Sequence, residues 1–480
     1  MVNIPLNLAA DESVEGYFDQ GIRAAARLQP GKVALTDARG ALSYQEMIAS
    51  IDRVATAIKR RFRPSFPVLA LPIRPSVKCI VSALALTELG VAWIPINSVL
   101  SGEKLQALLT ITGVEAVLGR LPSGGGHNVP EWDPYSATLD GSLGRDSCAG
   151  VRLGDAHRFI ASRGTTGQPS VHSESMLDTI GLVELIGALD QYTPETHILM
   201  DGFDNERWYA LLAVLSKGGS VTVSATGASK VTHNWLSTCP SHAFLGAHTL
   251  SRICKKTAVE SLPLLERLTV TGGHLHPPVA QALVDRVAST LSTLYFVTGF
   301  GFICSTEMTS GSIRARVIEG VELNLSADAE STDQSDVIRV RRISFPHDGN
   351  TALQSDVGTW FDTGDVGSFD RDGLKVLGKS EHFGKYSGSW LRQFSLESAI
   401  NTLPEVKLAC ILSANDAMGR ERLFVVAEPE SGLDINLASV DAVLHEVGLT
   451  DAVVLTGSLP RVAPGAIDRD RVHQELTKFA

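Results

Sequence analysis

Residues 160–171 read Ile160-Ala161-Ser162-Arg163-Gly164-Thr165-Thr166-Gly167-Gln168-Pro169-Ser170-Val171. An apolar, strand-like pair leads into the segment, and two glycines then flank two threonines. Glycine lets the backbone turn and expose its N–H groups, and the threonine hydroxyls add donors. Phosphate oxygens need a cradle of that kind. The spacing is not that of the GxxxxGK[ST] loop. Alone, the segment also fits a plain hydroxyl-rich turn, so the rest of the chain has to decide.

The chain has 480 residues, more than one ordinary core accommodates, so two or three units are expected. An apolar share of 44% and a charged share of 20% exclude a disordered, collagen-like or disulfide-framework protein. The 43 glycines favour an α/β protein with backbone-lined loops. A formal charge of -11 argues against a general nucleic-acid binder or a partner of anionic membranes. The cysteines 79, 148, 239, 254, 304 and 410 are scattered, with no CxxC pair. They read as reduced thiols in a cytoplasmic protein rather than as zinc ligands or a redox dithiol. Met1 to Phe18 carries acidic residues and no long apolar block, unlike a signal peptide. The apolar window Cys79–Ile96 is cut by Gly90 and Pro95 and reads as a buried helix followed by a buried strand, not a membrane span.

Helical and strand-like segments alternate almost throughout, which predicts α/β layers. Ser43 and Glu46 form a capping-box pattern ahead of Met47, Ile48, Ile51, Val54, Ala55 and Ile58, apolar positions at helical spacing. Ala92–Ile96, Leu211–Leu215 and Ser220–Val223 read as strand or strand-proximal core. Residues 123–128 and 327–335 read as loops. A boundary is expected near residue 380, giving a large N-terminal domain over 1–379 and a small C-terminal α+β unit over 380–480. That smaller unit is read from helices near 395–403 and 436–447 and strands near 409–412, 423–427 and 453–455.

A second constellation comes late: Trp360-Phe-Asp-Thr-Gly-Asp365, then Asp370-Arg-Asp-Gly373, then Gly378-Lys379-Ser380-Glu381-His382 and Lys385 to Gly388. A carboxylate after Thr-Gly can accept both hydroxyls of a ribose. It also fits a turn aspartate followed by an Asp-Gly hairpin.

Taken together, the two constellations resemble the motifs of the adenylate-forming superfamily, which comprises acyl-CoA ligases, luciferases and peptide-synthetase adenylation domains. Ser162 to Ser170 is similar to that family's phosphate loop, Thr363-Gly364-Asp365 to its ribose motif, and Gly378–Gly388 to its hinge. Weaker similarities run in the same order: Leu42-Ser-Tyr44, Gly90–Asn97, Thr271-Gly272-Gly273, Ser305-Thr306-Glu307 and Leu459–Asp468.

The resemblance implies an α/β enzyme with a mobile lid, using ATP and Mg²⁺ to turn a carboxylic acid into an acyl adenylate. The acyl group would then pass to an amine or to the thiol of a carrier protein acting in trans. It implies that Arg163, Gly164, Thr165, Thr166 and Gly167 wrap the phosphates and that Gly272 and Gly273 lie beside adenine. Asp365 and Lys379 would hold the ribose, Glu307 would bind the metal, and Thr306, Glu307 and Lys385 would serve the chemistry. Gly202–Trp208 resembles the segment in which an aspartate pairs with the α-amino group of an amino acid, which makes Asp204, Asn205 and Trp208 the substrate residues. The chain also departs from the family. Ala466 stands at the position of the catalytic lysine, Ser170 at that of the loop lysine, and Ile303 and Cys304 at those of a tyrosine and a glycine. Lys385, Arg461, Arg469 and Lys478 are the cations available to replace the lost charge. A relative that binds a nucleotide or a partner without turnover, or one that performs only a variant or transfer reaction, remains an alternative.

Overall fold

The computed structural model of the chain describes residues 17–18, 20–62, 67–97, 102–121, 129–136, 155–161, 171–326, 336–342, 358–370, 373–380, 385–386, 389–390, 393–415, 421–463 and 466–479. Two open sheets dominate the larger part. One has nine strands. Its centre is a parallel run, in sheet order Ala288–Val297, Leu265–Thr271, His242–Gly246, His197–Met200, Ser220–Val223 and Val33–Asp37. Antiparallel strands extend it at both edges: Gly40–Ser43 on one side, Gly301–Thr309 and Ser312–Val317 on the other. The other sheet has six strands and ends in an antiparallel hairpin, Ala156–Ala161 with Val171–Ser175. The interrupted segment 162–170 springs from that hairpin.

Helices fill the space between the two sheets. The predicted capping box is present: the Ser43 N–H donates to Glu46 Oε2 (2.8 Å), and the Glu46 N–H donates to Ser43 Oγ (3.3 Å). It starts the helix Tyr44–Phe62, which buries Met47, Ile51, Val54 and Ile58. The window Cys79–Ile96 folds as expected into the end of the helix Val77–Glu88 and the strand Trp93–Asn97. The run Leu211–Leu215 does not form a strand. It lies in the helix Asn205–Ser216, which is buried from Glu206 to Leu215. A helix with protein on all sides has no polar face, so its continuous apolar run looks like that of a buried strand.

An antiparallel four-stranded sheet (Val321–Ser326, Asp336–Arg342, Phe361–Asp370, Gly373–Lys379) follows. The C-terminal unit is a three-stranded sheet, Val406–Asn415, Glu421–Pro429 and Val453–Thr456. It has one apolar cluster under the helices Gln393–Ile400 and Leu437–His445 and another under the helix Arg469–Phe479. Charged contacts join this unit to the rest. Glu430 pairs with Arg252 and Lys256 (both 2.9 Å), the Lys255 ammonium donates to the Val406 carbonyl (2.8 Å), and Lys104 pairs with Asp468 (3.2 Å). The loops expected at 123–128 and 327–335 lie outside the described residues. Among the described residues, no helix is long and apolar enough to cross a membrane.

Candidate active site

In an open parallel sheet, ligands bind beyond the carboxyl ends of the strands, where the connecting loops leave backbone groups unpaired. In the nine-stranded sheet this edge gathers four turns. After His197–Met200 comes Asp201 to Asp204, and after His242–Gly246 a helix begins directly at Ala247. After Leu265–Thr271 comes Gly272-Gly273, and after Ala288–Val297 the chain reverses through residues 298–300. Gly272 (φ 71°) and Gly299 (φ 85°) adopt left-handed conformations that other residues resist. At Gly299 a side chain would also run into the His172 ring, 2.5 Å from a Cβ. The turn at 299 therefore sits directly on the foot of the 162–170 segment.

Asp365 reaches this edge from the four-stranded sheet. It is 5% exposed, and the Tyr295 hydroxyl donates to its Oδ2 (2.7 Å). The preceding turn is fixed locally. The Gly364 N–H donates to Asp362 Oδ1 (2.9 Å), the Thr363 hydroxyl donates to the Ile338 carbonyl (2.8 Å), and the Ser380 N–H donates to the Gly364 carbonyl (2.9 Å). Burial, together with the Asp365 charge, holds the Tyr295 hydroxyl protonated far above its ordinary range. Tyr295 was not singled out from the sequence, since no local pattern marks its partner 70 residues away. Lys379 stands opposite Asp365 in the hairpin ladder, and Lys385 lies in a two-residue strand paired with Ser389–Trp390.

Asp204, Asn205 and Trp208 divide. Asp204 is the N-cap of the helix Asn205–Ser216. Its Oδ1 accepts the Arg207 N–H (3.1 Å), its Oδ2 pairs with the Arg207 guanidinium, and 44% of its side chain remains exposed. The other arm of Arg207 binds Asp201 (2.5 Å), which in turn accepts the Gly246 N–H (3.1 Å). This ties the ends of two strands together. Asn205 starts the helix beside the cap. Trp208 does not line a cavity. It is 1% exposed and packs edge-on against Trp93 and Phe203, at 5.7 and 5.8 Å between ring centres, in the core between the two sheets.

Thr306 and Glu307 are not brought to this edge. They lie on the return strand Gly301–Thr309, opposite Thr293 and Ser292. Val297 is five residues beyond Ser292, roughly 17 Å along an extended strand. There Arg267 donates to Glu307 (2.9 Å) and to the Ser292 hydroxyl (2.8 Å), with Arg316 3.7 Å from the same carboxylate. A carboxylate neutralised by two guanidinium groups does not fit a metal ligand, and Glu307 is corrected to a structural role. The segment that the register carries to the edge is the turn at Val297–Gly301. Among the described residues, no group of three His, Cys, Asp or Glu side chains could hold a metal ion.

Arg163, Gly164, Thr165, Thr166 and Gly167 lie outside the described residues, as does Ser170. Their two feet are described: Ala161 pairs with Val171, and Ile160 with His172. A small cavity under the feet, ≈ 30 Å³, is bordered by Ile160, His172, Asp178, Tyr209, Phe300 and Arg342. Of the proposed replacement cations, Arg461 pairs with Glu428 (2.7 Å) and Arg469 with Glu397 (2.6 Å). Ala466 lies in a short ladder opposite Ala463. His248, in the first turn after Gly246, is pushed down to about 4 by burial and by Arg252 and Arg461, so it is uncharged at neutral pH.

Known proteins resemble this chain over most of its length. The family model of the AMP-binding enzymes matches residues 22–152. A probable CoA ligase, CCL9, of Humulus lupulus is 21% identical over 93% of this chain and 94% of its own length. A probable non-canonical nonribosomal peptide synthetase, CymA, of Salinispora arenicola is 21% identical over 93% of this chain, which spans only 6% of that much larger protein. Among solved structures, the anthranilate CoA ligase AuaEII superposes with a TM-score of 0.76 at 16% identity, covering 99% of both chains. The amide bond synthetase McbA of Marinactinospora thermotolerans gives 0.69 at 18% identity, covering 96% of this chain and 99% of its own. These structures share the fold, with a large N-terminal and a smaller C-terminal domain. Family model, relatives and fold point the same way: the chain has the fold of the adenylate-forming enzymes and is similar to them over nearly its whole length.

Proposed function

We propose that the protein activates a carboxylic acid with ATP, forming an acyl adenylate and pyrophosphate, and passes the acyl group to a carrier-protein thiol or an amine. The observation that carries this reading is the buried Asp365 carboxylate, held by Tyr295 at the carboxyl edge beside the Gly272-Gly273 turn and the feet of the 162–170 segment. A carboxylate there suits the two ribose hydroxyls, and backbone N–H groups of a glycine-rich segment suit phosphate. The acid attacks the α-phosphate, and the new acyl–phosphate bond forms as pyrophosphate leaves. The metal that accompanies ATP is assigned no ligand in this chain, since Glu307 does not fit one.

The substrate class we propose is an amino acid or a similarly cationic acid. Asp201, Asp204 and Glu206 set three carboxylates against the single Arg207 guanidinium, and Asp204 stays partly open to solvent. Two carboxylates on one guanidinium, one of them open to solvent, favour an ammonium group. The test is ATP–pyrophosphate exchange across a panel of amino acids and plain carboxylic acids. Exchange with amino acids supports the reading. Exchange with uncharged acids alone removes the amino-acid part, and exchange with none removes adenylation.

A second reading is favoured by the lid. With Ala466 at the lysine position and both Arg461 and Arg469 occupied, adenylation is slow and transfer from a preformed adenylate survives. Loss of one preorganised charge in such a site costs roughly 10²–10³-fold. A synthetic acyl adenylate with an amine or thiol acceptor tests the transfer step alone. Ala466→Lys should then raise exchange.

A further inference from the structure

We infer that Arg158, Glu174 and Tyr209 form a positioning unit that sets the two feet of the 162–170 segment against the helix Asn205–Ser216. The inference rests on the nucleotide-binding reading above and adds to it the device that fixes the hairpin from which that segment leaves.

Arg158 and Glu174 are direct cross-strand partners in the hairpin that carries the segment, three pairs below its open end at Ala161 and Val171. Both are buried, at 1% and 6% exposure. The Arg158 Nη2 donates to the Tyr209 hydroxyl (2.8 Å), which donates on to Glu174 Oε2 (2.5 Å). Arg158 Nε lies 3.3 Å from Glu174 Oε1, and the Thr179 hydroxyl donates to that same oxygen (2.5 Å). The guanidinium also lies over the Tyr209 ring, at 5.0 Å, and over Trp93, at 5.9 Å. The unit thus binds the hairpin to two helices at once, Asn205–Ser216 through Tyr209 and Met176–Asp190 through Thr179.

Its reach extends to the rest of the edge. Tyr209 belongs to the helix that Asp204 caps, so the acid-binding end and the hairpin share one rigid element. Its ring touches Phe296 and Phe302, the flanks of the turn at Val297–Gly301. A buried ion pair is a poor source of stability, because desolvation consumes most of the Coulombic gain. An apolar pair of the same size would fold as well. What the polar unit supplies instead is one fixed geometry: a guanidinium, a hydroxyl and a carboxylate join in a single way, whereas apolar groups slide.

The experiment compares wild type with Tyr209→Phe and with the double variant Arg158→Met/Glu174→Leu, which keeps the volume and leaves no lone charge. Thermal unfolding, ATP affinity by calorimetry in the presence of magnesium, and the rate of tryptic cleavage after Arg163 are read on each. The double variant should stay folded with an unchanged or higher Tm. It should bind ATP roughly 10–100-fold more weakly, the penalty of a binding group held about an ångström off, and be cut faster after Arg163. Tyr209→Phe should shift affinity and cleavage in the same direction by less. Wild-type affinity and cleavage in the double variant would reduce the unit to packing and overturn the inference, as would unchanged values in Tyr209→Phe. Wild-type protein that binds no ATP removes the functional reading, whereas unchanged cleavage in the double variant removes the positioning claim by itself.

Discussion

The strands Leu265–Thr271, Ala288–Val297 and Gly301–Thr309 have two ends, and their chemistry is opposite. Where Leu265–Thr271 and Ala288–Val297 finish and Gly301–Thr309 begins lie Gly272-Gly273, the Gly299 turn and the Tyr295–Asp365 pair, reached by loops and by a second sheet. Toward the other end, Arg267 closes a network with Glu307, Ser292 and Asp190, and Asp190 also accepts from Tyr192 (2.6 Å) and Thr269 (2.9 Å). One end gathers glycine turns and a buried carboxylate. The other satisfies its charges internally. A Ser-Thr-Glu triplet looks the same in sequence at either end, and only the strand register tells which end it occupies.

The largest effect expected from this contrast is at Asp365. Asp365→Asn should lower nucleotide-dependent activity roughly 100-fold, because two hydrogen bonds to a charged acceptor weaken and each is worth about 1.5–3 kcal/mol. Exchange kinetics on folded protein, verified by circular dichroism, check it, and near-normal activity would break the contrast. Next comes Asp190, whose carboxyl burial raises to about 6. A raised folded value means that its contribution to stability is complete below pH 4 and is lost as pH rises through about 6. Asp190→Asn should therefore gain on wild type between pH 4 and pH 7, by on the order of 2 kcal/mol, in urea titrations at several pH values. A pH-independent difference would show that the group is not protonated in the fold.

Gly299→Ala should destabilise by roughly 1–3 kcal/mol, since its φ is left-handed and the new methyl meets the His172 ring. Denaturant unfolding reads it, and a neutral result would detach the turn from the hairpin foot. The smallest effect is at Glu307. Glu307→Gln should keep exchange within about threefold while losing about 1 kcal/mol of stability, the scale of a partly exposed charged hydrogen bond. Abolished exchange with an intact fold would restore Glu307 as a metal ligand and sharpen the question of register.

Much of the fold was legible. The capping box at Ser43 and Glu46, the helix–strand pair at Val77–Asn97 and the helices and strands of the C-terminal unit depend on local periodicity and local hydrogen bonds, which sequence records directly. Leu211–Leu215 is core beside a strand, one of the two readings, and not itself a strand, because a helix buried on every side carries no alternation. Trp208 was misassigned for a related reason. An aromatic residue four positions after a helix cap can face a pocket or the core, and the partners that decide this, Trp93 and Phe203, come from different elements.

Sequence alone determined the class of molecule. The order and spacing of the glycine–threonine segment, the Thr363-Gly364-Asp365 triplet and the hinge motif resemble those of adenylate-forming enzymes, and that resemblance implied the fold, because motif residues stand in order along the chain. Tertiary structure alone decided which charges meet. It joined Tyr295 to Asp365, Arg207 to Asp201 and Asp204, Arg158 to Glu174 and Tyr209, and Glu307 to Arg267. Electrostatic partners are chosen by distance in space, and a chain that reverses between strands separates distance in space from distance in sequence.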